Sequence, residues 1–174
     1  DFLVQEGPLT RNINKTTDTA HVGHEFEKYF KMLFEEKVTD DGCARLLLRK
    51  LARKKILEPS KQKLEAKITV QEVAEVMENL PTGKQAGPNR IPNAVFRYMS
   101  AHFAPKLTDV LNDIISDNAL PQHFLEGDIA MLYKKNERED PRNYRPITLL
   151  NTDYKIFTRV LSKRMAKVVH EFVS

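Results

Sequence analysis

The sequence predicts a mainly α fold, a small helical bundle with one projecting two-stranded antiparallel hairpin. Three observations predict it. Apolar residues recur at helical spacing along most of the chain, punctuated by Pro, Gly and capping residues. Residues 129–150 break that period and read as two β-prone runs around a polar connection. The links between helical segments are short, which favours antiparallel neighbours. The chain has 174 residues, 41% apolar and 30% charged, enough to bury a core. It has no long apolar run, and its first residues lack the basic-then-apolar layout of a signal peptide. No membrane contact and an intracellular location, nuclear or cytoplasmic, are therefore expected. The single Cys43 excludes an internal disulfide and a cysteine-built zinc site.

Residues 1–16 show no apolar period and read as a loose, extended arm. A helix is expected over residues 17–37, with Asp18 as N-cap and Val22, Phe26, Phe30, Leu33 and Phe34 as its apolar stripe. His21 and His24 are close on this helix, but no third ligand stands near, so solvated histidines are the simpler reading. Asp40-Asp41-Gly42 ends that helix. The next is expected over residues 44–57, burying Leu46, Leu47, Leu51 and Ile56.

Charge is distributed unevenly along this part of the chain. Residues 1–43 carry five Lys/Arg against nine Asp/Glu, and residues 44–63 carry eight against one. Arg45, Arg49 and Arg53 recur every four residues on one helix face, widened by Lys50, Lys54 and Lys55. Such a face is either merely solvated or contacts nucleic acid. Lacking aromatics, it suits phosphate contact without sequence readout.

Glu58-Pro59-Ser60 reads as a break. Thr69 and Glu72 have capping-box spacing, opening a helix that buries Val70, Val73, Met77 and Leu80 before Pro81. Residues 82–88 form a flexible loop with Gly83, Lys84 and Gly87. They lack P-loop spacing, but backbone N–H groups there could approach a phosphate beside Lys84. Pro92 suits the first turn of a helix to about Met99. Pro105 is expected to open another, with Leu107, Val110, Leu111, Ile114 and Ile115 inward and an end near Asn118. After the hairpin, Thr152 or Asp153 caps a last helix. Its apolar positions are Ile156, Phe157, Val160, Leu161, Met165, Val168 and Val169, which leaves Lys155, Arg159, Lys163, Arg164 and Lys167 outside.

The hairpin holds the most specific chemistry. Lys134 and Lys135 leave its first strand, and Arg145 enters the second, followed by Pro146, which suits an edge strand. Lys offers a point charge and Arg a planar fork, so together they can hold a polyphosphate. Edge lysines also guard against aggregation, so both readings stay open on pattern alone. The connection exceeds the usual two to five residues, so its tip is expected to be mobile.

These residues carry a resemblance. Lys134-Lys135, a short acidic turn, Asn143-Tyr144-Arg145-Pro146-Ile147, Leu149-Leu150-Asn151, Tyr154-Lys155-Ile156 and Arg164 resemble the first conserved block of reverse transcriptases of non-LTR (LINE-type) retrotransposons. Upstream, Leu80-Pro-Thr-Gly-Lys84 and Ala86-Gly87-Pro88-Asn89-Arg90-Ile91-Pro92 are similar to that family's Gly-Pro-Asp-Gly-Ile-Pro block. Pro121, before Phe124, falls at its Leu-Pro and aromatic step. The resemblance covers about residues 68–170, so two regions are expected: residues 1–67, an N-terminal arm and basic helical region, and residues 68–174, fingers-like. Asn89-Arg90 stands where the family has Asp-Gly, which implies a different turn or strain at Arg90.

The resemblance implies the fingers part of a right-hand polymerase that uses an RNA template and makes DNA. Lys134, Lys135 and Arg145 would then hold phosphates of the incoming nucleotide. Lys84, Gly87 and Arg142 would contact template, and Arg45, Arg49 and Arg53 are further candidates for nucleic acid. No aromatic-x-Asp-Asp occurs in these residues. The catalytic carboxylates and their Mg²⁺ are therefore expected in a palm outside this chain, with no cofactor bound by the chain itself and no activity alone. The alternative is a repurposed fragment that serves as a nonspecific nucleic-acid-binding or protein-interaction module.

Overall fold

The structure, a computed structural model, describes residues 2–3, 19–35, 41–51 and 56–171. Arg53, the expected cap Asp18 and most of the N-terminal arm lie outside the described residues. Seven α-helices and a small sheet are seen among those described, so the chain is mainly α as expected. No described helix is long and apolar enough to cross a membrane. The chain divides into two compact units, Asp1–Thr39 with Gly127–Leu149, and Asp40–Glu126 with Leu150–Ser174. The boundary expected at residue 67 marks where the resemblance begins, and the compact units cut the chain differently.

In the first unit, α1 (Thr19–Leu33) accompanies strands β1 (Phe2–Leu3), β2 (Gly127–Tyr133) and β3 (Tyr144–Leu150). The sheet order is β1-β2-β3. The hairpin strands β2 and β3 are antiparallel, and the two-residue β1 adds a parallel edge, with Phe2 opposite Ile129. Val22, Phe26 and Phe30 of α1 bury against Tyr144, with Tyr29, Met131 and Tyr133 alongside. Edge-to-face contacts orient these rings, Phe26 to Tyr144 at 4.9 Å and Tyr133 to Tyr144 at 5.5 Å. The expected stripe is shorter than its period suggested. Leu33 and Phe34 at the end of the helix stay exposed, Phe34 stacked on Phe30.

In the second unit, α4 (Val70–Glu78), α5 (Asn93–Tyr98), α6 (Ser100–Asp117) and α7 (Thr152–Val168) enclose one core. Ile68, Val73, Val76, Met77, Leu80, Phe96, Leu111, Ile156 and Val160 fill it. The expected capping box is present, with Thr69 accepting from the Glu72 N–H and Glu72 reaching back to the Thr69 N–H. Asn118 ends α6 in the left-handed conformation, at φ 50°.

Several expectations are corrected. Residues 58–60 do not break the chain; α3 (Glu58–Glu65) starts there, because Pro59 occupies its first turn, where a missing N–H costs nothing. Pro105 does not open a helix either; it sits inside α6, which begins at Ser100. Val70, Val110, Ile115, Met165 and Val169 are exposed, because the core faces only one side of each helix. In α2 (Asp41–Leu51), Leu46 and Leu47 were expected inside, yet every described side chain from residue 42 to 49 is exposed.

Candidate nucleic-acid interface

The candidate residues fall into a set on the hairpin and a set in the helical unit. At the hairpin root, the Lys134 N–H donates to the Asn143 carbonyl at 2.8 Å, so the ends of β2 and β3 lie side by side. Strand alternation turns Tyr144 toward α1 and its neighbour Arg145 to the opposite face. Lys134, Lys135 and Arg145 are all exposed, and none forms an ion pair among the described residues. The structure therefore brings these three to one hairpin root.

The tip is not the loose loop expected from its length. Asn143 Nδ2 donates to the Glu137 carbonyl at 2.8 Å, and Tyr144 Oη to the Arg138 carbonyl at 2.9 Å. Tyr133 Oη donates to the carbonyl of Asn136, which takes φ 73°, and the Arg138 guanidinium lies 5.0 Å over the Tyr133 ring. Asp140 accepts from the Arg142 N–H at 2.9 Å and pairs with Nη2 at 2.7 Å. That guanidinium holds the Asp140 carboxyl below the usual carboxylate range. Arg142 is thus engaged by its own loop, and a phosphate there would compete with Asp140.

In the helical unit, Lys84 is exposed in its loop, and Arg45 and Arg49 are exposed on α2. Gly87, a candidate for template contact, packs against the chain's own backbone. It is buried, and a Cβ there would come within 2.5 Å of the Leu150 carbonyl carbon and 2.6 Å of the Asn151 nitrogen. The glycine permits two backbones to touch. Around it, Asn151 Oδ1 accepts from the Asn89 N–H at 3.0 Å, and Asn151 Nδ2 donates to the His123 carbonyl at 3.0 Å. The Thr152 hydroxyl lies 3.2 Å from the Ile91 carbonyl and 3.0 Å from Asn93 Oδ1. Asn151, rather than Thr152 or Asp153, is the N-cap of α7, and its side chain bonds away from the helix. The turn closes with the Arg90 N–H on the Gly87 carbonyl at 2.9 Å. Arg90 takes φ 59°, so of the two outcomes expected of Arg in place of Gly, a different turn or strain, the backbone keeps the left-handed conformation that strains a non-glycine residue.

Arg164 departs most from expectation. It was read as an outward cation and is 8% exposed. Its Nε and Nη2 grip Glu72 at 2.8 Å each. Nη1 donates to the Leu64 carbonyl at 3.3 Å and to that of Ala66, and Nη2 to that of Lys67 at 2.8 Å. All its N–H groups are occupied. Chiefly through this pairing, the Glu72 carboxyl is held down to about 2. The signal was legible, since Val160, Arg164 and Val168 share a four-residue period on the buried face.

No protein-family model matches the chain. Over 118 residues, 68% of its length, it is 28% identical to the transposon TX1 uncharacterized 149 kDa protein of Xenopus laevis. It is 28% identical over 60% of its length to the probable RNA-directed DNA polymerase from transposon BS of Drosophila melanogaster. Against the probable RNA-directed DNA polymerase from transposon X-element of the same fly, identity is 34% over 56%. The chain spans about a tenth of the length of these relatives, 9% to 12%. Its similarity is therefore to transposon proteins, two of them named as RNA-directed DNA polymerases.

Proposed function

We propose that the chain is the fingers segment of a non-LTR retrotransposon RNA-directed DNA polymerase. In this reading Lys134, Lys135 and Arg145 bind phosphates of the incoming nucleotide, and Lys84, Arg45, Arg49 and Arg53 approach template or product backbone. The uneven use of cations in the hairpin carries the reading. Arg138 sits on a tyrosine ring and Arg142 on Asp140, while the three root cations have no ion-pair partner among the described residues. A simple solvated charge pattern gives no reason for that division. The three would neutralise charge on the departing pyrophosphate and align the α-phosphorus, making no bonds themselves.

Metal chemistry belongs to a palm in this reading. Among the described residues no group of three or more His, Cys, Asp or Glu side chains could hold a metal ion. The chain is proposed to be inactive without that palm, as the resemblance implies.

The test is Arg145→Ala in a polymerase that contains this segment. The KM for nucleotide should rise about tenfold, as expected for loss of one charge-assisted contact. The melting temperature should stay nearly constant, because Arg145 is exposed. An unchanged KM, or a large loss of melting temperature, would sink the assignment. A second reading, a repurposed module for protein contact, is favoured by α2, whose Leu46, Leu47 and Leu48 are 57%, 62% and 65% exposed.

A further inference from the structure

We infer that the cleft between the α3–α4 connection and the end of α7 is a second phosphate-binding site, which takes a backbone phosphodiester of single-stranded RNA. The cleft measures about 290 Å³, and its charged lining is Lys63, Lys67, Glu72, Arg164 and Lys167. Four cations and one acid line it, and that acid, Glu72, is already gripped by Arg164. The remaining charge is borne by Lys63, Lys67 and Lys167, all exposed.

Two neighbouring acids are also engaged. Glu75 pairs with Lys163 at 2.8 Å, and Glu171 accepts from the Ser60 hydroxyl and from the Leu57 N–H at 3.1 Å. Lys163 chiefly lowers the Glu75 carboxyl and the Ser60 hydroxyl that of Glu171, and Lys167 and Lys63 form no ion pair with either. Three lysines thus border one cleft with no ion-pair partner among the described residues.

The frame is built to stay in place. Glu171 ties the start of α3 to the end of α7, and Arg164 holds the carbonyls at the other end of α3. The backbone segments that carry Lys63 on α3, Lys67 on the connection and Lys167 on α7 are therefore tied to one another. No aromatic lines the cleft, so it offers no stacking platform, and recognition would be of the phosphate alone, without sequence preference. Leu64, Ala66 and Val168 supply an apolar wall suited to the flanking sugars.

This inference rests on the nucleic-acid reading but not on the hairpin, so different substitutions test the two. Binding of a fluorescein-labelled single-stranded RNA to the whole chain is followed by anisotropy across salt concentrations. Two double variants remove equal charge: Lys63→Gln/Lys167→Gln in the cleft, and Lys28→Gln/Lys106→Gln on exposed positions of α1 and α6. The cleft variant should weaken binding about tenfold at low salt and reduce the slope of log K on log salt by about 1.4, two contacts' worth. The control should change affinity less than about twofold. Equal effects in the two doubles would overturn the site, as would no RNA binding by the unmodified chain at about 50 mM salt. Shifts of the cleft lysines with inorganic phosphate, in a chain whose RNA affinity ignores the cleft variant, would also overturn it, in favour of a free-anion site.

Discussion

Among single residues, Gly87, Arg90 and the Arg164–Glu72 pair decide more than their exposure suggests. Gly87 exists for a backbone contact, so Gly87→Ala must push apart the Gly87 turn and the Leu150–Asn151 backbone. A loss of about 2–3 kcal/mol by urea denaturation is expected, in the range of overpacked cores. Arg90 shows the reverse case. Replacing it by Gly removes the left-handed strain at φ 59° and should stabilise the chain by up to about 1 kcal/mol. Arg164 and Glu72 form a latch whose pH dependence has a definite sign. The folded carboxyl sits near 2, below its ordinary 4.5, so the latch stabilises above about 4.5 and is lost as pH falls toward 2. Urea midpoints of the native chain should therefore fall across that window more steeply than those of Glu72→Gln. Parallel curves would show that Glu72 contributes no acid sensitivity.

At the scale of elements, caps and prolines set the boundaries more than periodicity does. The capping box at Thr69 starts α4 where the sequence says, because both partners are three residues apart and need nothing distant. Thr69→Ala should cost about 1 kcal/mol, read as a lower thermal midpoint. The prolines were ambiguous for a physical reason. A first-turn position tolerates Pro because no intrahelical bond is lost there, so Pro59 reads equally as a break or a beginning. The exposed stripe of α2 makes a related point. Spacing at Leu46 and Leu47 reports amphipathicity, but burial also requires an element to pack against.

Across the whole molecule, candidate basic surfaces occur in both compact units, on the hairpin in one and on α2 and the α3–α7 cleft in the other. If α2 contacts nucleic acid, an Arg45→Gln/Arg49→Gln/Arg53→Gln variant should weaken RNA binding and lower its salt slope by about 2. Retained binding with an unchanged slope would leave α2 to protein contact through its exposed leucines. Uncharged residues matter as much to the fold: Gly87, Asn89 and Asn151 bond or pack to one another.

The mainly α class, the hairpin, the capping box and the resemblance to a polymerase family are legible in the sequence, which also marks Arg90 as a position of altered turn or strain. Each of these is written in neighbouring residues, through spacing, turn chemistry or a local motif. Only the tertiary structure decided that Gly87 packs against residues more than sixty positions away and that Arg164 is buried against α3 and α4. The same holds for which cations keep an acid beside them and which do not. Those outcomes depend on partners brought together by folding, and nothing local records such a partner.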